Sequence, residues 1–215
     1  AVIEDMDNNI PEEFAPLSSY EYGGKSYALI AINNRNGTNN SDSILRTLVI
    51  PEGVTAIGDY AFRRYRNLSS ISLPSTLKTI GEEAFRNTGD IESLVIPASV
   101  ESVGAGAFQG SGIKSVVWKT DADIPERCFS GFSLENIVIE GQIKKISGNA
   151  LSANLKELIL PASLTEIADN ALSSSLQRLI FKGGDNLAIP AYLFGNPLHV
   201  KSSLTYLELG NGIVS

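Results

Sequence analysis

The chain offers few groups able to do covalent chemistry, and their number and spacing limit what that chemistry could be. One histidine, His199, and one cysteine, Cys128, occur among 215 residues. A thiolate nucleophile needs an imidazole within hydrogen-bond reach. Ser202 and Ser203 stand close to His199 in sequence, but nothing around them resembles the Gly-x-Ser-x-Gly turn that exposes a nucleophilic serine over a sheet. Asp121, Asp123 and Asp185 carry the oxygen ligands that Ca²⁺ takes, yet their spacing matches no calcium loop, and solvated loop carboxylates are the plainer reading. A lone cysteine closes no disulfide within the chain and cannot build a polythiolate metal site. The glycines are spread along the chain rather than gathered into a phosphate-cradling loop. No catalytic residue, metal ligand or cofactor is assigned, and the chain is expected to bind rather than to catalyse.

Composition bounds the class. Hydrophobic residues make up 43% of the chain and charged residues 19%, enough apolar surface for a folded core. The formal net charge is -7. Nucleic-acid binding needs a basic face to neutralise phosphates, and no Lys/Arg cluster stands out, so neither nucleic acid nor an anionic membrane surface is an expected partner. No stretch approaches the ~18 apolar residues of a spanning helix, so no membrane insertion by this segment is expected. The chain opens at Ala1 without a Met or a signal peptide, which fits an export signal either processed away or trimmed off, and its absence says nothing against secretion. Sparse cysteine suits a reducing compartment or a bacterial surface equally.

The elements that would position any site are set by a repeat. Leu48-Val49-Ile50-Pro51 recurs as Ile71-Ser72-Leu73-Pro74 and Leu94-Val95-Ile96-Pro97, then as Val116-Val117-Trp118-Lys119, Ile137-Val138-Ile139-Glu140 and Leu158-Ile159-Leu160-Pro161. Leu179-Ile180-Phe181-Lys182 and Leu207-Glu208-Leu209-Gly210 complete the series. Successive copies start 23, 23, 22, 21, 21, 21 and 28 residues apart. The last interval is lengthened by an insertion around Gly195 to His199. These periods are those of a leucine-rich-repeat solenoid. Within a copy, Leu48 and Ile50 face one way while Thr47 and Val49 face the other, which is a short strand with one buried face. Proline ends it, lacking the N–H to continue a ladder. A second apolar pair, Val54 and Ile57, precedes a turn that closes on Ala61-Phe62. Stacking such copies predicts a right-handed superhelix with a parallel β-sheet on one face, short strands and turns on the other, and little helix. It also predicts a core column of Phe62, Phe85, Phe108, Phe129, Leu151, Leu172 and Phe194. In this register Cys128 and His199 stand about three strand steps, ~14 Å, apart, which rules out a Cys–His dyad.

Residues 1–43 do not fit the repeat and are expected to form an N-terminal cap. Tyr20 to Ile32 reads as a β-hairpin turning at Gly23-Gly24. Ile10 to Phe14 resembles Ile189 to Phe194 and is open to reading as a worn repeat. Residues 44–215 are assigned to repeats of about 21–23 residues, with the last copy incomplete.

The phrase Leu-x-Ile-Pro-x-x-Val-x-x-Ile-Gly-x-x-Ala-Phe, present from Leu48 to Phe62, and its near match from Leu94 to Phe108 resemble the BspA-like leucine-rich repeat family. The resemblance covers about Ile44 to Val214. That family is typical of surface proteins of Bacteroides-type bacteria. It often carries a cysteine shortly after the Phe, where this chain has Arg64-Tyr65 or is shortened. The resemblance implies a secreted or cell-surface protein that binds host or matrix proteins, or helps to assemble the bacterial surface. It names no ligand and no oligomeric state.

If the sheet face binds, two columns of outward residues carry the contact. One is Thr47, Ser70, Ser93, Ser115, Asn136, Glu157, Arg178 and Tyr206. The other is Val49, Ser72, Val95, Val117, Val138, Ile159, Ile180 and Glu208, unexpectedly apolar from Val95 to Ile180. Such a stripe is either a contact patch or plain β-propensity. Candidate ligand-binding residues are therefore Val95, Val117, Val138, Ile159, Ile180, Asn136, Glu157, Arg178 and Tyr206. The leading expectation is an adhesion module for a protein ligand. The alternatives are a structural spacer in a larger surface protein and, below it, a glycan-directed enzyme or lectin.

Overall fold

A computed structural model describes residues 43–131, 133–183, 187–195 and 203–211, together with position 16 and the strand segments at 2–3, 13–14, 19–22, 25–28, 31–32 and 213–214. The chain is a parallel β-solenoid, and the described residues contain no helix. Each coil has three sides, and each side stacks on its counterpart in the next coil.

The first side is the Leu-x-Ile strand. Thr47–Val49, Ser93–Ile96, Ser115–Trp118, Asn136–Ile139, Glu157–Leu160, Arg178–Phe181 and Tyr206–Leu209 occupy equivalent places, as does Ser70–Ser72. Register keeps like on like: Leu94 pairs with Val116 and then Ile137, and Leu158 with Leu179 and then Leu207. Burial alternates along these strands, so Leu94 and Ile96 lie in the core while Ser93 and Val95 face out. The side is not one continuous ladder. It comprises three parallel sheets, with hydrogen-bonded pairing interrupted after Ser70–Ser72 and again after Asn136–Ile139.

Proline ends the first side and starts the corner. The carbonyls of Pro51, Pro74, Pro97 and Pro161 accept from the N–H of Val54, Leu77, Val100 and Leu164 at 3.2–3.3 Å. The second side is two residues wide. It runs Ala31–Ile32, Ala56–Ile57, Thr79–Ile80 and Ser102–Val103, and resumes through the bridge Ile124–Ile146 to Lys145–Ile146 and Glu166–Ile167. Gly81 follows it because two coils touch backbone to backbone there: a Cβ would sit 2.4 Å from the amide nitrogen of Asp59.

The third side turns the chain through Ala-Phe. Phe62, Phe85, Phe108 and Phe129 form a stacked column with centroids 5.2, 5.5 and 5.3 Å apart and rings within 10° of parallel. Leu151 and Leu172 continue it in paired positions. The N–H of each donates to the coil that follows, as from Phe62 to Ala84 at 2.7 Å and from Leu151 to Ala171 at 2.9 Å. Two residues before each of these, the backbone is left-handed at Tyr60, Glu83, Gly106, Arg127, Asn149 and Asn170, with φ between 49° and 63°.

Pairing also reaches the N-terminal stretch. Glu13–Phe14 joins the first side beside Thr47–Leu48, and Val2–Ile3 joins the second beside Ala31–Ile32. Phe14 thus aligns with Leu48 rather than with the turn segment around Phe194 that its sequence resembles. A fragment this short carries no periodicity to say which side of a coil it takes. Ser19–Tyr22 and Lys25–Ala28 pair antiparallel, Ser19 opposite Ala28.

Candidate functional site

The geometry first disposes of the reactive groups that lie within the described residues. Cys128 is fully buried, and burial pushes its thiol well above the usual range. It fills the small core place held by Ala61, Ala84 and Ala107 in earlier coils, so it offers neither a thiolate nor an accessible surface. Asp121 and Asp123 are spent within the fold. Asp121 Oδ1 accepts the N–H of Gln142 at 2.6 Å, and Asp123 Oδ1 accepts those of Lys144 and Lys145 at 2.9 and 2.8 Å. Asp59 and Asp169 do the same for Glu82 and Tyr192. Carboxylates at these corners therefore tie one coil to the next by charge-assisted bonds. Glu52 accepts the N–H of Ser75, which holds its carboxyl below the ordinary value. Asp185, His199 and Ser202 lie outside the described residues, and Ser203 is exposed. Among the described residues no group of three or more His, Cys, Asp or Glu could hold a metal ion.

The outward column of the first side is apolar but uneven. Val95, Val138 and Ile159 are 46%, 45% and 39% exposed. Val117 is half-buried, and Ile180, expected on the surface, is only 9% exposed. Its place explains the difference. Arg178 and Lys182 flank Ile180 along its own strand, and Ile159 and Glu208 face it across the register, so long side chains stand on every side. The neighbouring column brings Asn136, Glu157, Arg178 and Tyr206 into line. Arg178 forms an ion pair with Glu157 and lies 4.9 Å over the Tyr206 ring, whose hydroxyl donates to Glu208 at 2.8 Å. The bond to Glu157 holds the Arg178 guanidinium above its usual pKa.

Two recesses open on this face, each at an interruption of the ladder. One, of about 230 Å³, lies between Asn136–Ile139 and Glu157–Leu160, with Val138 and Ile159 at its apolar surface and Lys182 at its rim. The other, of about 510 Å³, lies beside Ile71, Leu73 and Val95. Lys182, which sequence reasoning passed over, forms no ion pair among the described residues. A third hollow of about 420 Å³ lies on the turn side, lined by Asn149, Asn170, Ser152, Ser173 and Phe194.

The turn side also corrects the expectation that no basic cluster exists. Arg63, Arg64 and Arg66 project from one coil, and stacking brings Arg86 beside Arg63, with Glu83 paired to both at 3.3 and 2.6 Å. Phe-Arg-Arg-Tyr-Arg was the signal in the sequence. It is diluted in a net charge of -7, and Arg86 joins only through the stacking.

Comparison with known proteins agrees with the repeat. The profile of the BspA type leucine rich repeat region matches in six copies over residues 39–154 and 80–201. No curated protein matches the chain. Among solved structures, a leucine-rich repeat protein from Bacteroides ovatus is 22% identical, covering 97% of this chain and 68% of that one at a TM-score of 0.46. The pneumococcal vaccine antigen PcpA is 16% identical, covering 98% and 80%, with a TM-score of 0.40. A leucine rich cell surface protein from Faecalibacterium prausnitzii is 17% identical, covering 97% and 87%, with a TM-score of 0.36. The profile match spans more than half of the sequence, and the chain belongs to the BspA-type leucine-rich repeat family.

Proposed function

We propose that this solenoid is a recognition module of a bacterial cell surface, and that it takes a protein partner on the outward face of its first side. The observation that carries the reading is the pair of recesses at the ladder interruptions, with exposed Val138 and Ile159 at the wall of one and exposed Val95 at the wall of the other. Val138 and Ile159 sit on strands that pair in register with Ser115–Trp118 and Arg178–Phe181, which orders them before a partner arrives and favours binding. Lys182 at the rim of the smaller recess adds a cation with no ion pair among the described residues, which a partner carboxylate would satisfy. Leucine-rich repeat proteins generally act by binding proteins, and no helix of the described residues is long and apolar enough to cross a membrane.

The test is biolayer interferometry of the purified chain against a panel of purified extracellular-matrix proteins, beside the double variant Val138→Ser/Ile159→Ser. Both side chains are on the surface, so the variant keeps its thermal midpoint. At least one matrix protein should bind the wild type, and the variant should lose about tenfold or more in affinity if these residues are interface anchors. Equal binding by wild type and variant, or no binding by the wild type, refutes the reading.

A further inference from the structure

We propose that Arg63, Arg64, Arg66 and Arg86 form a binding site for sulfated oligosaccharides on the turn side of the solenoid, away from the face proposed above. The argument begins with Phe62-Arg-Arg-Tyr-Arg66. Phe62 and Tyr65 are both fully buried, with rings packed edge to face at 5.7 Å. Two anchored aromatics leave the residues around them at the surface. Arg66 is exposed, and Arg63 and Arg64 are partly so.

The backbone that presents them is tied down. The N–H of Arg64 donates to Arg86 O at 2.8 Å, that of Arg66 to Arg64 O at 2.8 Å, and that of Gly89 to Tyr65 O at 3.1 Å. Gly89 admits this approach, since a Cβ there would sit 2.3 Å from the carbonyl oxygen of Arg66. The guanidinium groups therefore stand on a fixed ridge rather than on a free loop.

Charge then selects the ligand. Glu83 lies in the same coil as Arg86 and pairs both with it and with Arg63 of the preceding coil, while Arg64 and Arg66 stand beside that pair on the same ridge. A guanidinium carries five N–H donors in a fork that fits a tetrahedral or planar oxyanion. Arg64 and Arg66 make no side-chain ion pair among the described residues. The site is small: one coil step of ~5 Å in one direction and about 10 Å along the coil in the other. Asp59 and Glu82 border it beyond the Phe column and raise the pKa of Tyr60 through their charge, chiefly that of Glu82. A long rigid polyanion such as a nucleic acid would have to run on across that acidic border and a chain of net charge -7. A few flexible sugar units bearing sulfates need only the ridge.

The experiment uses the whole chain and a fluorescently labelled heparin-derived hexasaccharide, read by thermophoresis at about 150 mM salt. The hexasaccharide should bind, its desulfated counterpart should not, and affinity should fall steeply with added salt. Arg64→Gln/Arg66→Gln removes two cations whose side chains make no ion pair among the described residues. It should keep the wild-type thermal midpoint and lose about tenfold or more in affinity. Val138→Ser/Ile159→Ser should bind the sugar like the wild type, which separates this site from the sheet face. Any of four outcomes overturns the proposal: no binding of the sulfated sugar, equal binding of the desulfated one, undiminished binding by the double arginine variant, or equally effective competition by single-stranded DNA of the same charge.

Discussion

Removing one ring from the middle of the phenylalanine column is the sharpest test of the architecture. Phe108 is 1% exposed, and its ring lies 5.5 Å from Phe85 and 5.3 Å from Phe129, within 3° and 6° of parallel. Phe108→Ala deletes the buried ring and leaves a cavity bounded on both sides by stacked neighbours. The surrounding coils are pinned by hydrogen bonds from Phe108 N to Cys128 O and from Phe85 N to Ala107 O, so they cannot collapse to fill it. The loss should approach the usual range for a buried aromatic, about 3–5 kcal/mol. For a chain of this size that corresponds to a fall of roughly 6–20 °C in Tm. Urea unfolding followed by circular dichroism measures it directly. Phe194→Ala is the internal comparison, because Phe194 is only partly buried against the core and should cost less. Phe108→Leu should also cost less, since Leu151 and Leu172 occupy the same column. A loss below about 1 kcal/mol for Phe108→Ala, within the range of ordinary surface changes, would refute the stacking argument.

Three further outcomes follow from individual residues. Gly141→Ala should destabilise by about 1–3 kcal/mol or more, because the new Cβ falls 1.7 Å from Thr120 O, and chemical denaturation reads the loss. Cys128 should resist iodoacetamide in the native chain up to mildly alkaline pH and react on unfolding, since burial disfavours the thiolate; mass spectrometry showing rapid native alkylation would contradict its placement. Arg127→Gly should stabilise by up to about 1 kcal/mol, because the left-handed backbone at φ 55° costs a residue with a Cβ and not glycine; a lower melting temperature would show that the Arg127–Glu126 ion pair outweighs that strain.

Much of the fold could be read from the residues because burial leaves a periodic trace. The Leu-x-Ile alternation, the proline at the strand end and the Phe column each recur at an interval that only coil stacking explains, and each lies where expected except Phe194, which is only partly buried. The column of left-handed residues left no such trace. Tyr60, Glu83, Gly106, Arg127, Asn149 and Asn170 share a backbone shape but no common side-chain type: an aromatic, an acid, a glycine, a base and two amides take the same place. The candidate face was legible in outline only. Alternation says that Ile180 points outward, but not that Arg178, Lys182, Ile159 and Glu208 ring it. The recesses were hidden for a related reason: they arise where hydrogen bonding between coils lapses, and the residues there, Ser70 to Ser72 and Asn136 to Ile139, look like those of unbroken pairs. Asp121 and Asp123 read as loop carboxylates because their partners are backbone N–H groups one coil away, which no sequence pattern displays.

The lapse after Asn136–Ile139 has a mechanical side. Between these two coils the other two walls stay bonded, through Lys145–Ile146 with Glu166–Ile167 and through Leu151 with Leu172. A seam open on one wall and sewn on the others gives way unevenly. Pulled along its axis, the rod should bend away from the unstitched wall before any coil unravels, widening the gap beside Val138 and Ile159. Drag on such a molecule would therefore alter the shape of the surface it offers to a partner while leaving its secondary structure whole.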